Sequence, residues 1–346
     1  MRKKTAAGRA LERSKTGRRH HKARPDRVNP IARATYQKFL PLWLRNAARN
    51  LPHALDGQST LDLVPAEARS NAASLGPAIV LGAGPSIHTQ SHIAMIRDSG
   101  YRGVLVASDR ILSSCLRESL VPEYVISVDA GREIADFYTD PLIKKQGSKI
   151  RAVLGITVDP EVTNRCNEAG MEIYWWIPVI DDYRDRASAT NVLRLMTNSE
   201  RHPVGLPCMV TGGNTGASAW VFTFSILHRS PVALVGLDLG YDASIEESQY
   251  YNELLARASG DASMVKFMLD KYKVYNPHLH RTYVTDPVFA WYRENLLQMA
   301  RQVPIWEDGP VKTINCTEGG TVFGPGIEVM PLSQFLTTHK TGHIDA

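Results

Sequence analysis

Runs of consecutive apolar residues recur along the middle of the chain: AIVLGAG from Ala78, VLVAS at 104–108, YVISVD at 124–129, AVLGIT at 152–157, EIYWWIP at 172–178 and PVALVGLDLGY at 231–241. Unbroken apolar runs, rather than strict alternation, mark strands buried on both faces, and the stretches between them are long enough for helices. The pattern predicts an α/β fold of Rossmann-like type, a mostly parallel sheet with helices on both faces. Ahead of it, Tyr36, Phe39, Leu40, Trp43, Leu44, Ala47 and Leu51 recur at three- and four-residue spacing up to Pro52. That spacing predicts a helix docked on the body. The chain therefore divides into a segment 1–30, a helical segment 31–75 and an α/β domain over 76–340.

Composition changes this picture mainly at the N-terminus. With 346 residues and 43% apolar content, the chain can bury a sizeable core. No run approaches the roughly 18 apolar residues that span a bilayer, and no apolar stretch follows the charged start. The expectation is a cytoplasmic protein without a transmembrane segment. Cys115, Cys166, Cys208 and Cys316 are scattered without metal-ligand spacing, so reduced thiols are expected. The net charge of +5 conceals an uneven distribution: residues 1–30 hold eleven Lys or Arg against Glu12 and Asp26, which leaves the remainder net negative. So polar a segment cannot offset its ordering entropy, and it reads as a disordered basic arm able to meet an anionic partner, nucleic acid or a membrane surface.

In parallel-sheet folds ligands bind beyond the carboxyl ends of the strands, so the polar residues there carry the chemistry. Gly82 and Gly84 permit close approach of the backbone to a ligand, Pro85 sets φ at a helix start, and Ser86 adds a hydroxyl beside open helix amides. The dinucleotide fingerprint is incomplete, because its third glycine position is Ile87, and an ordinary NAD site is disfavoured. Asp109 and Asp129 close successive strands and can accept from hydroxyls or help bind a metal. A second turn offers Gly212, Gly213, Asn214, Thr215 and Gly216, with Asn214 offering both donor and acceptor and Thr215 able to cap the following helix. Asp238 and Tyr241 follow the last apolar run. Each of these residue types also serves in tight βα turns and helix caps. Trp175 and Trp176 could stack on a base or pterin ring, but large aromatics in such strands usually fill the core.

The combination G-A-G-P-S at 82–86, the aspartate ending VISVD, G-G-N-x-G at 212–216, G-L-D-L at 236–239 and T-E-G-G at 317–320 resembles the MptE-like domain family. That family, formerly a domain of unknown function, includes archaeal 6-hydroxymethyl-7,8-dihydropterin diphosphokinases and motility-associated-factor flagellin glycosyltransferases. The resemblance covers roughly residues 40–336, and the C-terminal stretch ending in NCTEGGTVFGPGIEVMPLSQFL is similar to the longer, glycosyltransferase-type members. A more distant similarity links the chain to small bacterial sialyltransferases, which carry a G-N-G-P-S turn, a G-I-D-F-Y strand end and a His in H-x-x-x-T-D. Here Ala83 replaces the Asn, and His280 lies one residue farther from Thr285-Asp286.

The resemblance implies a transferase acting on a nucleotide or nucleotide-sugar substrate. Glycosyl transfer is favoured, with a CMP-linked sugar among the donors, and diphosphate transfer from ATP with Mg²⁺ is the alternative. His280, with His278 as a substitute, is then the expected base, Asp129 and Asp238 are further catalytic candidates, and Glu318 is a possible acid, base or turn residue. No D-x-D pair and no G-x-x-x-x-G-K-[ST] loop is present, so no cofactor is required by motif. A non-catalytic nucleotide- or sugar-binding module fits the same residues.

Overall fold

The computed structural model describes residues 30–70, 73–258, 265, 266 and 268–340. The basic segment expected at the start of the chain lies outside these residues, apart from Pro30, which opens the first helix.

That helix, α1 (Pro30–Leu55), runs through Pro41 and Pro52 and buries Asn46, Ala47, Asn50 and Ala54. Its position depends on two asparagines one turn apart. Asn46 Nδ2 donates to the carbonyls of Ala130 (3.0 Å) and Thr157 (3.1 Å), and Asn50 Nδ2 donates to Ile156 (3.0 Å) and Val158 (2.9 Å). Each amide thus satisfies two carbonyls beyond the end of a strand, groups that would otherwise be buried without partners.

The main sheet contains β1 (Gln58–Ser59), β2 (Ala78–Leu81), β3 (Val104–Ser108), β4 (Tyr124–Ser127), β5 (Arg151–Gly155), β6 (Glu172–Pro178), β7 (Cys208–Met209) and β8 (Val232–Val235). A small sheet of β9 (Tyr241–Asp242), β10 (Tyr272–Asn276) and β11 (Arg281–Thr285) and a hairpin of β12 (Ile305–Trp306) and β13 (Gly309–Pro310) stand apart, and β14 (Thr313–Asn315) and β15 (Glu328–Val329) return to the main sheet. The order is β1-β6-β5-β4-β3-β2-β8-β14-β15, with β7 also on β6, and every pairing in it is parallel. This is the Rossmann-like architecture that the apolar runs imply.

Helices cover both faces. On one, Val80, Val106, Val232 and Leu234 pack against Trp220 and Phe222 of α8 (Thr215–Ser225) and Leu296, Leu297 and Ala300 of α10 (Pro287–Ala300). On the other, Ile79, Leu81, Leu105 and Val235 meet α2 (Ser86–Thr89), α3 (His92–Ser99), α4 (Asp109–Arg117) and α11 (Leu332–Thr338). Farther along the sheet, Val125, Ala152 and Leu154 pack with Ala47 and Ala54 of α1, with Ile143 of α5 (Pro141–Gln146) and with Val162 and Cys166 of α6 (Pro160–Glu168). The short α7 (Ala189–Met196) and α9 (Glu247–Arg257) complete the set used below. Trp175 and Trp176 are fully buried in this core.

Candidate active site

From β2 the chain steps outward through β3, β4, β5 and β6, then returns to lay β8 on the opposite side of β2. The connections after β2 and β8 thus diverge, leaving a crevice at the strands' carboxyl ends, where open α/β sheets take ligands. A cleft of about 1190 Å³ occupies this position, lined by Gly82–Pro85, Asp109, Asp129, residues 210–216, Gly236–Tyr241 and faces of α1 and α10.

The first glycine turn is tied to the strand beside it. Gly82 N donates to Val235 O and Gly84 N to Gly236 O, each at 2.8 Å. A Cβ on Gly82 would lie 2.6 Å from Gly236 O, and one on Gly84 would lie 2.0 Å from Asp238 Oδ2. Ser86 N (3.2 Å) and Ser86 Oγ (2.8 Å) both donate to the Asp238 carboxylate. The amides that the sequence offered to a phosphate are therefore largely engaged by the protein itself. Gly320, at φ 72°, closes over the same residue, where a Cβ would lie 2.0 Å from Asp238 O. Three separate motifs, G-A-G-P-S, G-L-D-L and T-E-G-G, thus converge on Asp238. Burial lifts its carboxyl to about 7, against the stabilising Ser86 hydrogen bonds.

The second cluster is more open. Asn214 caps α8 by accepting from Ala217 N at 2.9 Å, while its Nδ2 is shielded from solvent and has no partner. By helix geometry the amides of Thr215 and Gly216 have no intrahelical acceptor. Thr215 Oγ1 donates to Asp129 Oδ2 at 3.2 Å. Asp129 itself is solvent-accessible, and desolvation by the surrounding cleft raises its pKa despite the Thr215 bond. Behind it, Asp109 is buried, accepts from Ser127 Oγ and from Arg110 N (2.8 Å), and is lifted to about 7 by burial and by the charge of Asp129. Three carboxyls thus share the cleft floor, two buried and one open. Among the described residues no group of three or more His, Cys, Asp and Glu is arranged to hold a metal ion.

Gly82, Gly84, Pro85, Asp109, Asp129, Gly212–Gly216, Asp238 and Tyr241 all line the cleft, whereas Ser86, His280 and Glu318 do not. Ser86 acts through Asp238. The expected base His280 is placed elsewhere: it is exposed in the turn between β10 and β11, at φ 50°, with its ring 3.4 Å from the Tyr275 hydroxyl. As a turn residue between β10 and β11, it is not among the residues that line the cleft. Glu318 instead accepts from Leu332 N (3.0 Å) at the start of α11 and sits 3.3 Å from His92 Nε2, the structural reading of that residue. Desolvation outweighs Glu318 in lowering the pKa of His92. Tyr241 stacks on Phe289 (centroids 5.9 Å apart) and meets Tyr250 edge-on.

Two features of the cleft were absent from the sequence expectations. Arg257 of α9 pairs with the buried Asp286 (Nη1–Oδ2 2.5 Å), which also caps α10 through Val288 N and Phe289 N. Asp-Pro at 286–287 is a recognisable helix start, but its pairing with Arg257 is a tertiary fact. The N-terminal half of α1 also forms a wall of the cleft.

A family model described as 6-hydroxymethylpterin diphosphokinase MptE-like matches residues 45–244. Among solved structures, a MAf glycosyltransferase from Magnetospirillum magneticum AMB-1 is similar in fold, with a TM-score of 0.57 at 14% sequence identity. The superposition covers 88% of this chain and 42% of that one, so this chain spans less than half of the larger protein. No curated protein matches by sequence. No helix among the described residues is long and apolar enough to cross a membrane.

Proposed function

The chain belongs to the MptE-like family, and we propose that it is a nucleotide-dependent transferase, most simply a glycosyltransferase, acting in the cleft at the β2/β8 switch point. The carrying observation is the pairing of the open carboxylate Asp129 with the N-terminus of the 11-residue helix α8, through Thr215 Oγ1. A helix N-terminus with free amides stabilises anions. In this reading the amides of Thr215 and Gly216 and the unpartnered Asn214 Nδ2 hold the phosphate of a nucleotide-activated sugar. Asp129 takes the proton from an acceptor hydroxyl, whose oxygen forms a bond to the anomeric carbon. The bond from that carbon to the phosphate oxygen breaks, and its electron pair leaves on the nucleotide. Charge developing on the departing phosphate meets oriented amides, the arrangement that lowers such barriers most. Asp109 and Asp238 are buried too deeply to act directly; Asp238 ties down the glycine turn through Ser86, and Asp109 engages Ser127 at the end of β4. The fold likeness to a glycosyltransferase extends over more of the chain than the family match, which favours this reaction over diphosphate transfer.

The family description itself supports a second reading, diphosphate transfer from ATP to a hydroxymethylpterin. Mg²⁺ riding on ATP phosphates needs one or two carboxylates. Asp129 would supply one, while Asp109 beside it is substantially protonated near neutrality. The ion would neutralise phosphate charge, and Asp129 would then orient it rather than act as base.

Thermal shifts with CMP, CDP, UDP, GDP, AMP and ATP, each with and without Mg²⁺, separate the two, because a bound ligand raises apparent stability by RT ln(1 + [L]/Kd). A metal-independent response to a cytidine or uridine nucleotide, weakened in Asn214→Ala, is expected. A response confined to ATP with Mg²⁺ would transfer the assignment to diphosphate transfer, and no response to any nucleotide would overturn both.

A further inference from the structure

Resting on that reading, we infer that the aromatic cluster on the N-terminal half of α1 is a stacking platform for the planar heteroaromatic ring of the substrate. Tyr36, Phe39 and Trp43 all line the cleft, yet none is buried, and the residues α1 does bury begin at Asn46. Three large rings left half-buried on a cleft wall, outside the core clusters, offer aromatic faces to a ligand. They are already ordered as a surface. Phe39 and Trp43 stack with centroids 6.1 Å apart and planes 27° apart, and Tyr36 meets Trp43 edge-on at 6.4 Å.

Their placement relative to the reacting groups follows from the anchor. Asn46 is fixed to the carbonyl of Ala130, the residue after Asp129. With a rise of about 1.5 Å per residue, Trp43 lies roughly one turn and Phe39 roughly two turns along the axis from that anchor. The platform therefore starts beside the Asp129 loop and runs outward along the cleft. The tryptophans that the sequence offered for stacking, Trp175 and Trp176, are buried in the core and cannot serve. Rings are faced by π-systems in sites that bind bases without edge readout, so stacking holds the flat end of a ligand whose phosphate lies at α8. The family match begins at residue 45, so Tyr36, Phe39 and Trp43 precede it.

The flat ring is either a nucleobase or a pterin, and the assay distinguishes them. Titrations of the full chain with CMP, AMP, ribose 5-phosphate and 6-hydroxymethylpterin are followed by calorimetry and tryptophan fluorescence, on wild type, Phe39→Leu and Trp43→Leu. Leucine keeps apolar bulk and removes the ring at sites that are not buried, so the variants retain the fold. Loss of one stacking face is expected to weaken the ring-bearing ligand by about tenfold, with ribose 5-phosphate unaffected. A nucleotide response assigns the platform to the base, and a response confined to 6-hydroxymethylpterin assigns it to the acceptor ring. Ring-bearing ligands that bind wild type and both variants equally would overturn the inference while leaving the proposed function intact. No binding by wild type would overturn both.

Discussion

Replacing Asp238 by Asn tests whether this carboxyl is a buried, structurally held acid. Its ordinary value of 3.8 is raised to about 7 because burial penalises the charged form more than the two Ser86 donors favour it. An acid raised on folding stabilises the native state in its neutral form. That contribution is complete below 3.8, declines as pH rises toward 7 and is absent above it. About three units correspond to about 4 kcal/mol over the full range, and integrating between pH 5 and pH 8 leaves about 2.5 kcal/mol. Asn has the same shape, can accept from Ser86 N and donate to Ser86 Oγ, and does not titrate. The stability of Asp238→Asn relative to wild type should therefore rise by about 2.5 kcal/mol from pH 5 to pH 8. Urea denaturation followed through the buried Trp175, Trp176 and Trp220 measures this, and taking the difference cancels the parallel contribution of Asp109. A difference that stays constant across that range would refute the reasoning, because Asp238 would then be ionised in both states.

Other perturbations address separate parts of the structure. Gly84→Ala places a Cβ against Asp238 Oδ2 and Gly236 O and should cost about 1–3 kcal/mol through forced displacement, read as a lowered melting temperature. Asn50→Ala leaves the carbonyls of Ile156 and Val158 and the Thr163 hydroxyl without their partner. It should cost about 1–3 kcal/mol and expose α1 to limited proteolysis before the sheet is cut. Arg257→Met strands the buried Asp286 and should destabilise by about 3–5 kcal/mol in denaturant. A smaller loss than 1 kcal/mol would mean that the helix cap alone satisfies Asp286. With the identified substrate, turnover should fall as pH drops through a value above the ordinary 3.8, because Asp129 must be ionised to accept a proton and its pKa is raised. Asp129→Asn should lose at least about 100-fold in kcat, and retained turnover would remove Asp129 as base.

Much of the architecture was readable from the chain because a strand buried on both faces must be apolar at every position. VLVAS at 104–108 and EIYWWIP at 172–178 coincide with the strands themselves, β2, β4 and β8 fall inside their runs, and β5 begins one residue before its run. Strands such as β1, β7 and β9 to β15 were not readable because they are short or partly exposed, so their composition carries no strong period. Asp109, Asp129 and Asp238 were recognisable from their position at strand ends, and the turn glycines from the close approach that only a missing side chain allows.

What the chain alone left open was which of these groups meet and which face solvent. The same residue types suit a ligand cradle and a tight turn. That choice is made by where their hydrogen bonds go, and Ser86 and Asp238 are 152 residues apart. His280 was the expected base and Glu318 a possible acid, base or turn residue, yet a hairpin turn carries the first to the surface and the N-terminus of α11 engages the second. Tertiary packing also turned the first half of α1 into a wall of the cleft, by anchoring its second half through Asn46 and Asn50. Local sequence determined the strands and turns because burial and backbone sterics act within a few residues. Only the folded structure decided protonation and access, because desolvation and pairing depend on groups that the fold brings together from distant parts of the chain.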